Sequence, residues 1–416
     1  MTPRTIVTVG AGQAAAVAAR NLRRQGFDGR IMLIGDEPHA PYQRPPLSKE
    51  FLAGTDSEAA LWILRPSWIA DNDVEIVTGT GVLRVDPVAQ TVALDNGSEI
   101  GADVVLFATG GSPRTLPVPV PGPRPDLVHY LRTLDDALRL APVLAPGRRL
   151  AIIGAGFIGL EIAATAAAAG VAVTVFETVP VPLAPILGAQ MGQAVSQLHR
   201  DNGVDLRTGV RLAGIRTTAD GVLIDMTDAA APFEADAVVI GIGITPNTAA
   251  AEASGLRIED GIVVDALGRS TIPNIYAAGD VARRYSERAG RHVRLEHFDN
   301  ASRQGVAVSN AMLGRDAPSD DAPWFWSDQH GRNLQFVGAA TGEPVIRGDL
   351  GALDFTGFYL EGATVRGAFT IDRGEDIMAV RELLGREVDS AALCDEHTDL
   401  WDLAYADIDE ESQVQQ

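Results

Sequence analysis

Two glycine-rich turns constrain this chain more than any other feature: Gly10-Ala-Gly12-Gln-Ala-Ala15 and Gly154-Ala-Gly156-Phe-Ile-Gly159. Each follows an apolar, β-branched run (Thr5–Val9; Leu150–Ile153) and opens an alanine-rich stretch of helical character. Strand, glycine turn and helix in that order form the nucleotide-binding corner of a doubly wound α/β sheet. The first glycine makes the tight turn, and the second lets backbone approach a pyrophosphate. The third small residue lets the helix pack on the strand, which leaves phosphates at a helix N-terminus. One such match is weak evidence. Two, each with a carboxylate at the end of the next strand, predict two dinucleotides on one polypeptide, the arrangement needed to pass a hydride between them.

Bulk properties narrow the rest. The 416 residues allow two or three domains. A net charge of −21 argues against sequence-independent nucleic-acid binding, which needs phosphate-neutralising Lys and Arg, and reads as acidity for solubility. The longest alanine-rich stretch, Ile162 to Phe176, is interrupted by Gly170 and too short to span a bilayer, so no membrane insertion is expected. A core-like strand within the first ten residues predicts no secretory signal. Cys394 is the only cysteine; it permits no intrachain disulfide and no four-cysteine iron–sulfur site, and fits a reducing, cytoplasmic setting. The seven histidines show no metal-ligand spacing, no hydrolase constellation is visible, and no signal fixes an oligomeric state.

Along the chain, the first turn leads through a predicted helix, Ala14–Gln25, to a strand at Arg30–Ile34 and then Gly35-Asp36-Glu37. A proline-rich loop follows, Pro41 to Lys49. Segments at Glu75–Thr78, Gly81–Val85 and Thr91–Leu94, with Asp95-Asn96-Gly97 as a hairpin turn, predict a small antiparallel layer. A strand at Asp103–Ala108 ends at Thr109-Gly-Gly111, and the proline-dense Pro113–Pro125 marks a boundary. The plan then repeats through Val171–Phe176, Glu177 and Ala237–Gly243. Asn274–Asp280 supplies a further strand ending in an acid, with a helix at Asn300–Leu313. Beyond Asp316–Asp321, aromatic strand-like segments (Trp324–Trp326, Leu334–Val337, Gly357–Leu360, Thr364–Ile371) precede a helix near Ile377–Leu384. The predicted domains are 1–112 with 247–318, then 113–246, then 319–404. Residues 405–416 form an acidic tail expected to be disordered.

The carboxylates at the second strand ends, Asp36 and Glu177, are the candidate ribose readers, with Glu37 a competitor for the first. A carboxylate there accepts ribose hydroxyls and repels a 2′-phosphate. The stretch after Glu177, Thr-Val-Pro-Val-Pro-Leu183, has no arginine to receive such a phosphate, so NADH is expected over NADPH. The alternative, a strand-end carboxylate in solvent, stays open for both. Lys49 is the only lysine in the chain and sits on a loop stiffened by Pro45 and Pro46.

Together with both turns, several segments resemble one family: Arg44-Pro-Pro-Leu-Ser-Lys49, Ala108-Thr-Gly-Gly111, Tyr130-Leu-Arg-Thr133, Gly159-Leu-Glu161, Gly241-Ile-Gly-Ile-Thr-Pro-Asn247, Ala278-Gly-Asp280 and Pro323-Trp-Phe-Trp-Ser-Asp328. The chain is similar to the FAD-dependent, NADH-linked ferredoxin reductases of bacterial oxygenase systems, over residues 4 to 400. The resemblance implies an α/β fold: two Rossmann-like dinucleotide-binding domains on a glutathione-reductase-like frame, plus a C-terminal α+β domain.

For FAD the resemblance implies Gly10, Gly12, Ala14 and Ala15 at the pyrophosphate, Asp36 at the adenosine ribose and Val82 at the adenine end. Arg44 and Lys49 would lie beside the flavin, Lys49 near N5, with Ala108, Thr109 and Gly110 also lining the cofactor. Arg132 would meet its phosphates or flavin edge, Gly279 and Asp280 the ribityl chain, and His297 and Phe298 the pyrimidine side. Relatives often carry Ser-Val at these last two positions, so Phe298 would contribute backbone only. For NADH the implied residues are Gly154, Gly156, Phe157, Ile158, Gly159, Glu161, Glu177, Gly241, Ile242 and Gly243. Lys49 and Glu161 are the candidate catalytic pair, Glu161 beside the nicotinamide and able to pair with Lys49. A cation at the flavin edge would stabilise the charge that a hydride brings into a low-dielectric pocket. For Glu161 a simple helix-dipole role is the alternative.

Disulfide reductases on this frame need a redox cysteine pair, which one cysteine cannot form. Electrons therefore leave the flavin directly, and a [2Fe–2S] ferredoxin is the expected partner, serving a haem monooxygenase or a Rieske dioxygenase. Trp324 and Trp326 are candidates for the exit surface. Arg65, Arg303, Arg332 and Arg347 are candidates for docking an acidic partner, and Cys394 reads as a buried small hydrophobe. Rival readings are a rubredoxin reductase, an NADH oxidase, and a redox-responsive interaction protein resembling apoptosis-inducing factor.

Overall fold

The computed structural model describes residues 4–117, 119–316 and 321–405, so the expected tail past Tyr405 and most of the Asp316–Asp321 segment lie outside it. Contacts divide the chain into two units. The first comprises Met1–Pro46, Asp56–Ser112 and Ile244–Asp321, and the second Leu47–Thr55, Pro113–Gly243 and Ala322–Gln416.

The first unit is built on five parallel strands in the order Ile275–Ala277, Val104–Phe107, Thr5–Val9, Arg30–Ile34, Val74–Val77. Val9 pairs with both Ile34 and Phe107, so three carboxyl ends finish level. Ligands of such sheets bind at that edge. The helix Gln13–Arg24 runs back from the first glycine turn and buries Ala14, Ala15, Ala18, Ala19 and Leu22. Its small face packs on the helix Phe298–Met312. The Asn21 amide, buried there, donates to Ser309 Oγ and Asn310 Oδ1 at 2.8 Å each, which satisfies a polar group removed from water.

The strand near Glu75 does not lie where the sequence placed it. Val74–Val77 pairs in parallel with Arg30–Ile34 at the edge of the main sheet, and does not join the small antiparallel layer. That layer is Val82–Asp86, Thr91–Leu94 and Glu99–Gly101, with Asp95-Asn96-Gly97 turning between the last two. Alternating hydrophobicity identifies a half-buried strand but carries no information on its neighbour.

The second unit repeats the plan. Its parallel sheet runs Asp205–Arg207, Ala172–Phe176, Arg149–Ile153, Ala237–Ile240, Val128–His129. Gly154 has φ +101°, and a Cβ there would lie 2.4 Å from the Gly241 carbonyl oxygen. Gly10 in the first unit has φ +103° and would bring a Cβ to 2.3 Å from Ala108 O. Both corners thus demand glycine for the same two reasons: a left-handed backbone and a neighbouring strand end in contact. The helix Phe157–Ala168 is apolar nearly all round because its strand sheet and the strand Trp324–Gln329 both pack against it.

The C-terminal part of this unit is an antiparallel sheet ordered Trp324–Gln329, Arg332–Gly338, Thr364–Ile371, Asp354–Glu361, Val345–Asp349, with helices Gly374–Leu383 and Ser390–Cys394. The edge strand Val345–Asp349 was not anticipated, since Arg347 and Gly348 break its apolar run. Arg347 is buried and donates to the carbonyls of Asp395 (2.6 Å) and Thr398 (2.9 Å). It ties down the C-terminal segment and is unsuited to docking, contrary to expectation. Cys394 is half-buried, with burial pushing its thiol up in pKa, and is not the buried small hydrophobe expected. No helix among the described residues is long and apolar enough to cross a membrane.

Candidate active site

In the first unit, Gly12 is the N-cap of Gln13–Arg24 and no side chain caps that helix. A Cβ on Gly12 would meet nothing within 4 Å, so there is open space beside the turn at the start of the helix. Gln13 Oε1 beside them is buried without a partner, an acceptor that a hydroxyl-bearing ligand would satisfy. These are the properties of a pyrophosphate cradle, and the residues fit FAD. Ala14 lies against Gly279, where a Cβ would come 3.4 Å from that of Ala14. Thr109 and Asn247 lock the strand end, Thr109 Oγ1 donating to Asn247 O (2.6 Å) and Asn247 Nδ2 returning to Thr109 O (3.0 Å).

Arg44, Asp280 and His297 gather in this unit. Burial pulls the Arg44 guanidinium down in pKa, but Tyr42, Glu37 and Asp280 outweigh it and leave it raised. Burial lowers His297, opposed by Asp280 and Asp299. The Glu37 carboxylate is engaged by Arg44 Nη2 (2.5 Å) and by the Tyr42 hydroxyl. Asp36 instead stands exposed at the strand end. Val82 is half-buried at the start of its strand, and Phe298 is the first residue of Phe298–Met312. Arg132 belongs to the second unit, where its backbone NH and that of Thr133 donate to Asp136 Oδ2 (3.0 and 2.9 Å). Thr133 Oγ1 accepts from Asp136 N in return, a capping box that starts Leu134–Leu140.

In the second unit Gly156 is the N-cap of Phe157–Ala168, again without a side-chain cap and with open space where a Cβ would stand. Glu177 folds over this turn. Its Oε2 accepts from Ala155 N (2.7 Å) and its Oε1 from Thr178 N (2.6 Å) and Val179 N (3.0 Å). A carboxylate so fixed beside a glycine loop fits a ribose reader. Ile158 is exposed, whereas the Phe157 ring packs edge-on against Phe325, centroids 4.8 Å apart. Gly241 closes on the strand through its NH to Ile153 O, Ile242 is half-buried, and Gly243 O accepts from Arg114 N.

Glu161 lies one turn into the same helix and is 3% exposed. Lys49 Nζ donates to its Oε2 at 3.1 Å, and Ser48 Oγ donates to the same oxygen at 2.5 Å. Ser327 Oγ donates to Oε1 at 2.6 Å. Thr165 Oγ1, one helical turn beyond Glu161, holds the Ser48 carbonyl at 2.8 Å and so pins the lysine loop to the helix. A buried carboxylate beside a buried ammonium places two opposite charges in a low-dielectric interior. That is tolerable because two hydroxyls also donate to the carboxylate, which leaves one acceptor position on Oε1 open. Ser48 and Ser327 were not singled out from the sequence as site residues, although both lie inside motifs that were.

The candidate exit and docking residues fare unevenly. Trp324 and Trp326 are half-buried and stacked, centroids 5.4 Å apart, on the face of their strand opposite Phe325. Arg65 is exposed at the N-cap of Pro66–Asp71. Arg303 pairs with Asp299 and Asp321, and Arg332 with Asp372.

Two parallel sheets, each ending in an uncapped glycine turn, define an oxidoreductase frame that holds two dinucleotides. The chain belongs to the pyridine nucleotide-disulphide oxidoreductase family, which matches residues 4–305, and a reductase C-terminal domain matches residues 324–404. It is 35% identical to putidaredoxin reductase of Pseudomonas putida over 91% of each chain. It is 37% identical to the ferredoxin–NAD(+) reductase component of the anthranilate 1,2-dioxygenase system of Burkholderia cepacia, over 92% of this chain and 95% of that one. The reductase in the crystal structure of the covalent putidaredoxin reductase–putidaredoxin complex superposes with a TM-score of 0.93 at 34% identity, covering 98% of this chain and 99% of that one.

Proposed function

We propose that this protein is an NADH-dependent, FAD-containing ferredoxin reductase that delivers single electrons to a [2Fe–2S] ferredoxin of a haem monooxygenase or Rieske dioxygenase system. When bound, FAD supplies the hydride acceptor and the switch from two-electron to one-electron chemistry. The chain's own residues bind and orient. The Gly10–Ala15 turn, Asp36, Arg44, Val82, Ala108–Gly110, Arg132, Gly279, Asp280, His297 and Phe298 hold FAD. The Gly154–Gly159 turn, Glu177 and Gly241–Gly243 hold NADH. Glu161 receives the nicotinamide carboxamide, and Lys49 presents positive charge to the flavin edge.

The observation that carries the reading is the buried Lys49–Glu161 pair directly beyond the second glycine turn, in a chain with a single cysteine. Hydride transfer needs no general acid or base, so positioning and charge stabilisation suffice. Without a cysteine pair there is no sulfur relay, which supports direct outward electron transfer. The names of the relatives support a ferredoxin acceptor and NAD as the nucleotide. A lone thiol suits a reducing, cytoplasmic setting.

The test is anaerobic addition of NADH to the purified yellow protein, followed by [2Fe–2S] ferredoxins. Bleaching of the flavin bands, then their return as ferredoxin is reduced, is the expected sequence. Bleaching reversed by oxygen or rubredoxin alone would refute ferredoxin as acceptor, and a protein that binds no FAD would refute the whole reading.

A further inference from the structure

Beyond Ser327 the contacts to Glu161 continue away from the site. Gln329 Nε2 donates to Ser327 Oγ at 2.8 Å. Gln329 Oε1 lies 2.8 Å from His199 Nε2, and His199 Nδ1 lies 3.1 Å from His330 Nε2. Ser327 and Gln329 alternate along Trp324–Gln329 with Phe325, and all three point inward. His199 comes from the helix Ala184–Asp201. Ser327, Gln329 and His199 are each at most 1% exposed. His330 is half-buried in the two-residue turn before Arg332, with φ +52°.

The chemistry of the atoms gives this chain a direction. A glutamine Oε1 only accepts, so His199 Nε2 must carry its proton. Burial lowers His199 to a pKa of about 4 and keeps the ring neutral, which leaves Nδ1 bare to accept from His330 Nε2–H. Each link therefore donates toward the next: His330 to His199, His199 to Gln329, Gln329 to Ser327, Ser327 to Glu161. The amide of Gln329 does not pass protons by simple exchange, so the chain is unsuited to relay. It is suited to holding one oxygen of one carboxylate.

We propose that Ser327, Gln329 and His199 are positioning residues for Glu161: a one-way chain of donors that fixes Oε1 while Ser48 and Lys49 fix Oε2. With both oxygens held, the carboxylate has one rotamer, and any group it orients is oriented with it. The proposal rests on the assignment of Glu161 to the nicotinamide site.

The test uses the FAD-loaded enzyme. Ser327→Ala is expected to slow flavin reduction by NADH about 10- to 100-fold, with a smaller change in the apparent Kd for NADH. Ser327→Thr, which keeps the hydroxyl, restores the rate to within a few-fold, and Gln329→Leu behaves like Ser327→Ala. In a Glu161→Gln background, Ser327→Ala adds little further loss, because the carboxylate it serves is gone. An independent readout is ¹⁵N-histidine NMR, with His199 identified by its loss in His199→Phe. Neutral, Nε2-protonated imidazole at pH 7 is expected, and an Nδ1-protonated or cationic ring would overturn the donor direction. Unchanged reduction in Ser327→Ala, with Glu161→Gln impaired, would overturn the positioning role. Unchanged reduction in Glu161→Gln itself would instead overturn the underlying assignment of Glu161.

Discussion

Replacing Lys49 by methionine tests the buried pair most directly. The two side chains are 10% and 4% exposed and 3.1 Å apart, so the substitution leaves a carboxylate in the interior without its counter-charge. Removing one partner of such a pair costs about 3–5 kcal/mol. Ser48 and Ser327 still donate to Glu161, at 2.5 and 2.6 Å, and charge-assisted bonds of that kind are worth about 1.5–3 kcal/mol each. The lower end applies, about 3 kcal/mol, which for a domain of 150–250 residues lowers Tm by roughly 6–12 °C. Lys49→Met combined with Glu161→Gln removes the stranded charge and should recover most of that loss. Flavin reduction by NADH should remain slow in both variants, since neither restores the positive charge that the proposed function assigns to Lys49. Thermal unfolding and anaerobic stopped-flow absorbance report the two effects separately. If the single variant loses neither stability nor rate, or if the double variant sums two full losses, the pair is not the coupled unit described here.

Two further outcomes follow from the site. Glu177→Arg should weaken NADH by about tenfold or more and strengthen NADPH, because the carboxylate fixed by Ala155 N is exchanged for a phosphate-binding guanidinium; calorimetric titration with both nucleotides checks this, and an unchanged ratio would show that Glu177 does not read the ribose. His199 gives a pH signature: its folded pKa is about 4 against an ordinary 6.5, so the unfolded chain takes up the proton first. Stability is then complete above about pH 6.5 and declines as pH falls toward 4, by about 3 kcal/mol in total. His199→Gln should flatten that part of the urea-midpoint profile relative to wild type, and parallel profiles would contradict the burial of a neutral ring.

Much of the frame was legible from the chain because its requirements are local. Gly10 and Gly154 need a left-handed backbone and the absence of a Cβ, and the alanine-rich stretches after them need close helix packing. Spacing therefore announces both nucleotide corners, and the sole lysine on a proline-stiffened loop announces itself by composition. Arg347 shows the limit, since nothing in Val-Ile-Arg-Gly-Asp reveals that its guanidinium is buried against the carbonyls of a segment 48 to 51 residues away. The partner of Val74–Val77 is equally hidden, because alternation marks a buried face and not a neighbour. The surroundings of Glu161 belong to the same class. Ser48, His199, Ser327 and Gln329 come from a loop, a helix and a strand far apart in sequence, and each is an ordinary polar residue in its own segment. Their meaning arises only when folding removes water from around one carboxylate, leaving Ser48 and Ser327 to donate to it and Gln329 and His199 to stand in line behind Ser327.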